Sequence, residues 1–564
     1  MKKYTGIKRE AKVLRFVWKM AKGEHGKILA NVLINLISAL LPAGIAYFVK
    51  RYIDFHSLDF MKFVSQGNLT LFLTLIVCGI FLRMIAGLIL GYAMPNIKRN
   101  IEINCIKKFA MLPHSYISDC IDNRIIMALS IESGMISSLI PMVYRSFIKA
   151  PVTILGFVVL LFFTSPILTL ICFVLIATVV IGILLFRKAI KRLNEKTYNR
   201  IGDLHQYFSN WLTGYRVFIT SNATRFMEKQ LIQVSTELAE LSKKMAKISA
   251  FQSITIEIIT IVITAVFILI AAKSQINPNS LLNIGELLLF PAAILFIRSE
   301  ILNIIYGYVQ LTGTESAAQR IMNVIEYPLM KNAGSETFVE KINSLSFNNV
   351  TFSYNKTSTK ILDGANIKFK KGEINTIIGR SGTGKTTFIN LCMHLRIPCN
   401  GVILYNSKDI NTISEENLLS KIALVEQEPF IFEGSLAENI FFDKKPDISF
   451  ILELLNQFEL SHLAKTEAEL YTTQIGQRAR QLSTGEKQRI AIVRALVKDA
   501  DIIFFDEVTS NLDTQNAGKI IEHIKAISKD KLVICVSHDL MLIQASQVLY
   551  EIQNAQIKCI TTTN

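Results

Sequence analysis

Apolar residues crowd into roughly the first three hundred positions of this chain and thin out afterwards. Six windows, residues 28–48, 71–92, 147–163, 167–186, 254–272 and 287–308, stay mainly apolar for close to the length a helix needs to cross a bilayer, about 20 residues at 1.5 Å each. They predict an all-α membrane domain of six spans. Only Thr164, Ser165 and Pro166 separate the third window from the fourth, which predicts a tight helical hairpin. The other connections differ in length. Residues 93–146 and 187–253 are long, rich in Lys and Arg, and contain few Gly or Pro, so helices are expected to continue beyond the membrane there as two cytoplasmic hairpins. An even number of spans returns the chain to its starting side, and both termini are expected in the cytoplasm.

After residue 308 the texture changes. Residues 310–327 read as a helical connector, and the polar stretch 328–341, with Gly334 and Ser335, as a linker. Beyond it, short β-rich runs at 374–378, 422–425, 502–505 and 532–536 alternate with amphipathic helices. Such short, mainly apolar runs suit parallel strands buried on both faces. The expected organisation is a membrane domain over 1–327, the linker, and an α/β domain over 342–564, in which Gly379-Arg380-Ser381-Gly382-Thr383-Gly384-Lys385-Thr386 fits the phosphate loop of an NTPase.

Composition supports this division: 51% of the 564 residues are hydrophobic and only 19% charged, fewer charges than a soluble protein carries. The net charge of +16 raises the question of nucleic acid. Lys98, Arg99, Lys107, Lys108, Arg187, Lys188, Lys191 and Arg192, however, lie between the apolar windows, where positive charge fixes orientation in a bilayer. No aromatic–basic surface suited to stacked bases accompanies them, and no nucleic-acid partner is expected. The eight cysteines form no CxxC pair, which suits reduced thiols. Residues 1–26 are basic and amphipathic rather than a cleavable signal, with residues 11–21 expected as a short helix on the inner membrane face.

The candidate chemistry lies in the second half. Gly379-Arg380-Ser381-Gly382-Thr383-Gly384-Lys385-Thr386, followed by Thr387, joins an expected strand to an expected helix. Glycines let backbone N–H groups turn inward around phosphates, Lys385 brings charge to the β and γ oxygens, and Thr386 offers a hydroxyl to Mg²⁺. The apolar run 502–505 ends in Asp506 and Glu507. At a strand tip the first suits the Mg²⁺ shell and the second a water to be activated. Leu482-Ser483-Thr484-Gly485-Glu486 opens a further helix, whose N-terminus can present Ser483 and the Gly485 N–H to a phosphate.

With that last motif the chain resembles the ATP-binding cassette (ABC) family, whose signature there is LSGGQ. Thr484 and Glu486 depart from it. The resemblance implies that this surface meets ATP held by a second subunit. It further implies that Tyr354 stacks on adenine, that Gln427 senses Mg²⁺, that Asp513 of the Ser510–Asp513 loop crosses the dimer interface, and that His538 contacts the γ-phosphate. Six spans before one cassette resemble an ABC exporter half-transporter. A homodimer is expected, with a heterodimer as the alternative. ATP and Mg²⁺ are the implied cofactors, and a bacterial inner membrane the implied location. The implied activity is ATP-driven export or flipping of an amphipathic lipid, peptide or drug. A nucleotide-gated channel or receptor is the second reading, disfavoured because Glu507 and His538 are both present. Arg83, Lys149, Glu257, Glu286, Arg298 and Glu300 fall in or beside the apolar windows, where charge is expensive. Arg83, Lys149 and Arg298 are expected to form a basic collar for an anionic head group, with Glu257 positioned to neutralise one of them.

Overall fold

The computed structural model describes residues 4–56, 68–114, 116–117, 132–275, 284–327, 336–337, 340–354, 359–442, 446–476, 482–510 and 514–562. The chain divides into two compact units, one of Met1–Leu112 with Cys120–Pro328, the other of Pro113–Asp119 with Leu329–Asn564.

The first unit is helical. Among the described residues, five stretches are long and apolar enough to cross a membrane: His25–Asp54, Leu69–Phe109, Ser133–Thr164, Thr224–Val266 and Leu289–Ile325. The fourth expected window lies in the helix Pro166–Thr213, where most of its side chains fall outside the described residues. Ser165 breaks the helix between windows three and four with extended backbone, φ −153° and ψ 108°, as the Thr-Ser-Pro turn predicts. The helix Asn68–Phe109 has 42 residues and Thr224–Gln275 has 52. At 1.5 Å per residue they reach about 63 and 78 Å, at least twice the hydrocarbon thickness. Val77, Ile80, Phe81 and Leu88 stand exposed on the first of these helices, a surface that suits lipid better than water.

The N-terminal helix Tyr4–Met20 is amphipathic, but its apolar face is already covered. Val13, Phe16, Val17 and Met20 are buried in a cluster with Ile97, Ile101, Leu139 and Ile321. Apolar residues three and four apart define a face; they do not say whether lipid or protein covers it.

The second unit holds two larger sheets. Strands Gln556–Thr562, Val548–Gln553, Ile374–Ile378, Leu532–Val536, Ile502–Asp506 and Ile422–Val425 lie in that order, parallel except for the first pair. The four β-rich runs read from the sequence are four of its five mutually parallel strands. A four-stranded antiparallel sheet, Leu362–Lys370, Ser344–Phe352, Asn400–Tyr405 and Lys408–Asp409, was not expected. Phe388, fully buried, stacks on Phe347 at 5.1 Å and meets Phe369 edge-on at 5.7 Å. That contact ties the helix Lys385–Cys392 to the antiparallel sheet.

Among the described glycines of the membrane unit, Gly307 has the least room for a side chain. A Cβ there would lie 2.2 Å from Ser146 Oγ and 2.3 Å from its Cβ, on the π-helical turn Tyr144–Lys149. Gly307→Ala should therefore overpack the site and cost about 1–3 kcal/mol, read as a lower melting temperature of the purified protein. Ser146→Gly in the same chain should restore most of it. A Gly307→Ala protein that melts like the wild type would show that the two helices separate freely.

Candidate functional site

Strand register assembles this site. Leu532–Val536 is flanked in parallel by Ile374–Ile378 and Ile502–Asp506, with Val536 level with Ile377 on one side and Asp506 on the other. Three chains therefore leave the sheet side by side, towards the Gly379 loop, Glu507 and His538. Ligand sites in such sheets lie off the carboxyl ends of the strands.

The loop 379–384 is shaped by its glycines. Gly384 has φ +105°, and a Cβ on it would lie 2.4 Å from Ile361 Cγ2; one on Gly379 would lie 2.7 Å from Thr383 Oγ1. Among the described residues, the N–H groups of Ser381, Gly382 and Gly384 have no hydrogen-bond partner in the protein. Backbone donors left without a protein partner at a helix N-terminus fit a polyphosphate. Arg380 supplies structure, its carbonyl accepting from Thr383 Oγ1 at 2.9 Å. Thr386 is exposed at the first turn of the helix, whereas Thr387 is buried. The Thr387 hydroxyl lies 2.9 Å from the Tyr354 hydroxyl.

Lys385 is the hub. Its Nζ donates to the Gly379 carbonyl at 2.8 Å, lies 2.6 Å from His538 Nε2, and is 3.4 Å from Glu507 Oε1. His538 Nε2 is also 3.4 Å from that carboxylate oxygen. Glu507 has φ +50°, a left-handed conformation that is uncommon for a residue with a side chain and is often found at working sites. Its N–H donates to the Val536 carbonyl at 2.8 Å, which holds the turn. Burial, with help from Glu507 and Glu426 and against Lys385, pushes the Asp506 carboxyl up to about 6. A buried acid set among acids is a natural ligand for a cation, so the donors present fit Mg²⁺. Gln427 Nε2 donates to Ser510 Oγ at 3.3 Å, and the Gln427 carbonyl accepts from Gln488 at 3.5 Å. Asp513 lies outside the described residues.

Ser483 and Gly485 stand elsewhere. Among the described residues, no hydrogen bond or ion pair joins them to the phosphate loop. Ser483 is the N-cap of the helix Thr484–Val497 in a reciprocal capping box with Glu486. The Ser483 N–H and hydroxyl both donate to Glu486 Oε2 at 2.8 Å, and His462 Nε2 lies 2.6 Å from the other carboxylate oxygen. Burial opposes ionisation of Glu486, but these contacts hold its carboxyl down to about 2. The departure at Glu486 is thus a built feature. The Ser-x-x-Glu spacing signals the cap in the sequence, whereas His462, 24 residues away, leaves no local sign.

A family model described as ABC transporter matches residues 362–510, and one described as ABC transporter transmembrane region matches residues 28–300. An ATP-dependent lipid A-core flippase of Haemophilus influenzae is 23% identical over 549 residues, spanning 96% of this chain and 92% of that protein. The protein of the same name from Burkholderia thailandensis is 24% identical over 556 residues, spanning 97% and 92%. The solved structure of a bacterial Atm1-family ABC exporter with ATP bound superposes with a TM-score of 0.83 at 18% identity, covering 95% of each chain.

Removing the cap tests its energetic role. Glu486→Ala should cost about 1 kcal/mol of stability at neutral pH, read by thermal melting of the purified protein. The folded carboxyl titrates below the usual 4.5, so its stabilising part is complete above about pH 4.5 and is lost as pH falls towards 2. The gap between variant and wild type should narrow over that window alone. A gap that is constant into acid would assign the loss to packing instead.

Proposed function

The chain belongs to the ABC transporters, as an exporter-type membrane region fused to one cassette, and on that premise we propose that it moves an anionic amphiphile as one half of a homodimer. It is an integral multi-pass membrane protein, and it couples ATP hydrolysis to transport. In our reading the membrane is the inner membrane of a bacterium, both termini are cytoplasmic, and residues 328–341 link a membrane domain over 1–327 to a cassette over 342–564.

Within the cassette, Gly379–Thr387 cradle the phosphates and Tyr354 carries the adenine. Thr386, Gln427 and Asp506 would hold Mg²⁺, which when bound neutralises charge on the β and γ oxygens. Glu507 takes the proton from the attacking water, and His538 steadies the γ-phosphate. Ser483, Gly485 and Asp513 serve the ATP of the other subunit. Closure of two cassettes on ATP stabilises one membrane state over the other, and hydrolysis removes that preference.

One observation carries the cargo reading. A cavity of about 610 Å³ in the membrane unit is lined by Arg83, Arg145 and Lys149 together with Asn31, Asn35 and Tyr306. Among the described residues none of the three cations has an ion-pair partner. A second cavity of about 450 Å³, walled by apolar side chains such as Leu41, Ile45, Phe72 and Phe296, also borders Arg83. A charged chamber adjoining an apolar one suits a molecule with an anionic head and a hydrocarbon tail, such as a phosphorylated lipid or an acidic lipopeptide. The collar differs from the sequence expectation: Arg298 sits 3.6 Å from Glu257 and is neutralised there, and Arg145 takes its place. Relatives named as lipid A-core flippases are in keeping with a lipid cargo.

Two experiments bear on this. Glu507→Gln in purified protein should keep ATP binding and lose turnover by at least about 100-fold, whereas Lys385→Ala should weaken ATP binding itself. Wild-type turnover in Glu507→Gln would remove that residue from the chemistry. In proteoliposomes, Gln at Arg83, Arg145 or Lys149 should raise the concentration of anionic amphiphile needed to stimulate ATPase by about tenfold each. Basal turnover and stimulation by neutral amphiphiles should persist, and Arg298→Gln should change little. Equal responses to anionic and neutral amphiphiles, before and after substitution, would make these charges structural.

A further inference from the structure

The guanidinium of Arg396 lies over the ring of Tyr354, 5.1 Å from its centre, within reach of a cation–π attraction. The same ring is fixed in two other ways. Its hydroxyl meets Thr387 Oγ1 at 2.9 Å, and Phe352 meets it edge-on with centroids 5.3 Å apart. Arg396 is also held by the backbone. The helix Lys385–Cys392 ends in a turn in which His394 has φ +57°, and the Leu395 and Arg396 N–H groups both donate to the Asn390 carbonyl, at 2.8 and 3.2 Å. Ring and cation are therefore both referenced to the helix that starts at Lys385. Despite these contacts Tyr354 remains 50% exposed. It is an aromatic plate with a cation on one side, its tip pinned, and the rest open.

We propose that Arg396 is a positioning residue for the nucleobase: it holds the Tyr354 ring in place and draws the ring's π density towards itself. A face depleted in this way stacks better on an electron-rich purine, because stacked π faces otherwise repel. The proposal rests on the reading of Tyr354 as the adenine platform. It adds that the platform is a two-residue device, built on residues 42 positions apart in the sequence. The phosphates are left to the loop and Lys385.

The test uses the full-length purified protein in EDTA, which prevents turnover, with ATP and inorganic tripolyphosphate titrated separately by calorimetry. Arg396→Gln should weaken ATP about two- to fivefold, the size of a partly exposed cation–π contact, and leave tripolyphosphate unchanged. Arg396→Lys should recover most of the loss, since the cation is kept. In a Tyr354→Ala background Arg396→Gln should have no further effect, the mark of two residues acting as one. If Tyr354→Ala leaves ATP binding intact, the platform reading itself fails. If Tyr354→Ala weakens ATP but Arg396→Gln does not, the platform stands and the role of Arg396 falls. Equal losses for ATP and tripolyphosphate in Arg396→Gln would also overturn it, by placing Arg396 with the phosphates or the fold.

Discussion

The parallel register of three buried strands is the constraint on which this cassette depends. Ile374–Ile378, Leu532–Val536 and Ile502–Asp506 are packed on both faces, and nearly all their side chains are fully buried. A slip of one residue would turn every side chain to the opposite layer. Because the strands cannot slip, Ile377, Val536 and Asp506 end at one level. The segments leaving those three strands must therefore meet: a glycine loop, a histidine and a glutamate. The left-handed turn at Glu507, tied to the Val536 carbonyl, is the local cost of pointing that carboxylate across the strand ends.

Electrostatics then sets how the cluster rests. Asp506 and Glu507 stand together with Glu426 nearby, and Lys385 is the cation that faces them. The lysine bridges a carbonyl, an imidazole and a carboxylate. In our reading an entering phosphate would engage the lysine itself and the imidazole, so ligand binding exchanges one set of charge-assisted contacts for another. The membrane unit obeys the same logic at lower density. Glu257 pairs with Arg298, while Arg83, Arg145 and Lys149 line a cavity.

Much of this was legible in the sequence, for physical reasons. Buried parallel strands are short, mainly apolar runs rich in β-branched residues, so 374–378 and 532–536 could be read to the residue. The phosphate loop and the Asp506–Glu507 pair carry their chemistry in contiguous letters. The antiparallel sheet was missed because its strand Leu362–Lys370 alternates buried and exposed positions and carries four polar side chains, a weaker signal than a continuous run. Contacts between distant residues were invisible. His462 with Glu486, Arg396 with Tyr354, and Glu257 with Arg298 each join separate elements. Arg145 was missed because it precedes the apolar window 147–163, yet it lines the same cavity as Lys149.

In our reading one half of a nucleotide site hangs from those strand ends and the other half is Ser483 with Gly485, which among the described residues no hydrogen bond or ion pair joins to the phosphate loop. On our account two copies complete each other. The most direct measurement places cysteines at Ser381 and Ser483 in a chain with its native cysteines replaced, and monitors disulfide formation in membranes with and without ATP. The account predicts a cross-link between two identical chains that strengthens with ATP. Cross-linking within a single chain, or only to a different protein, would contradict it.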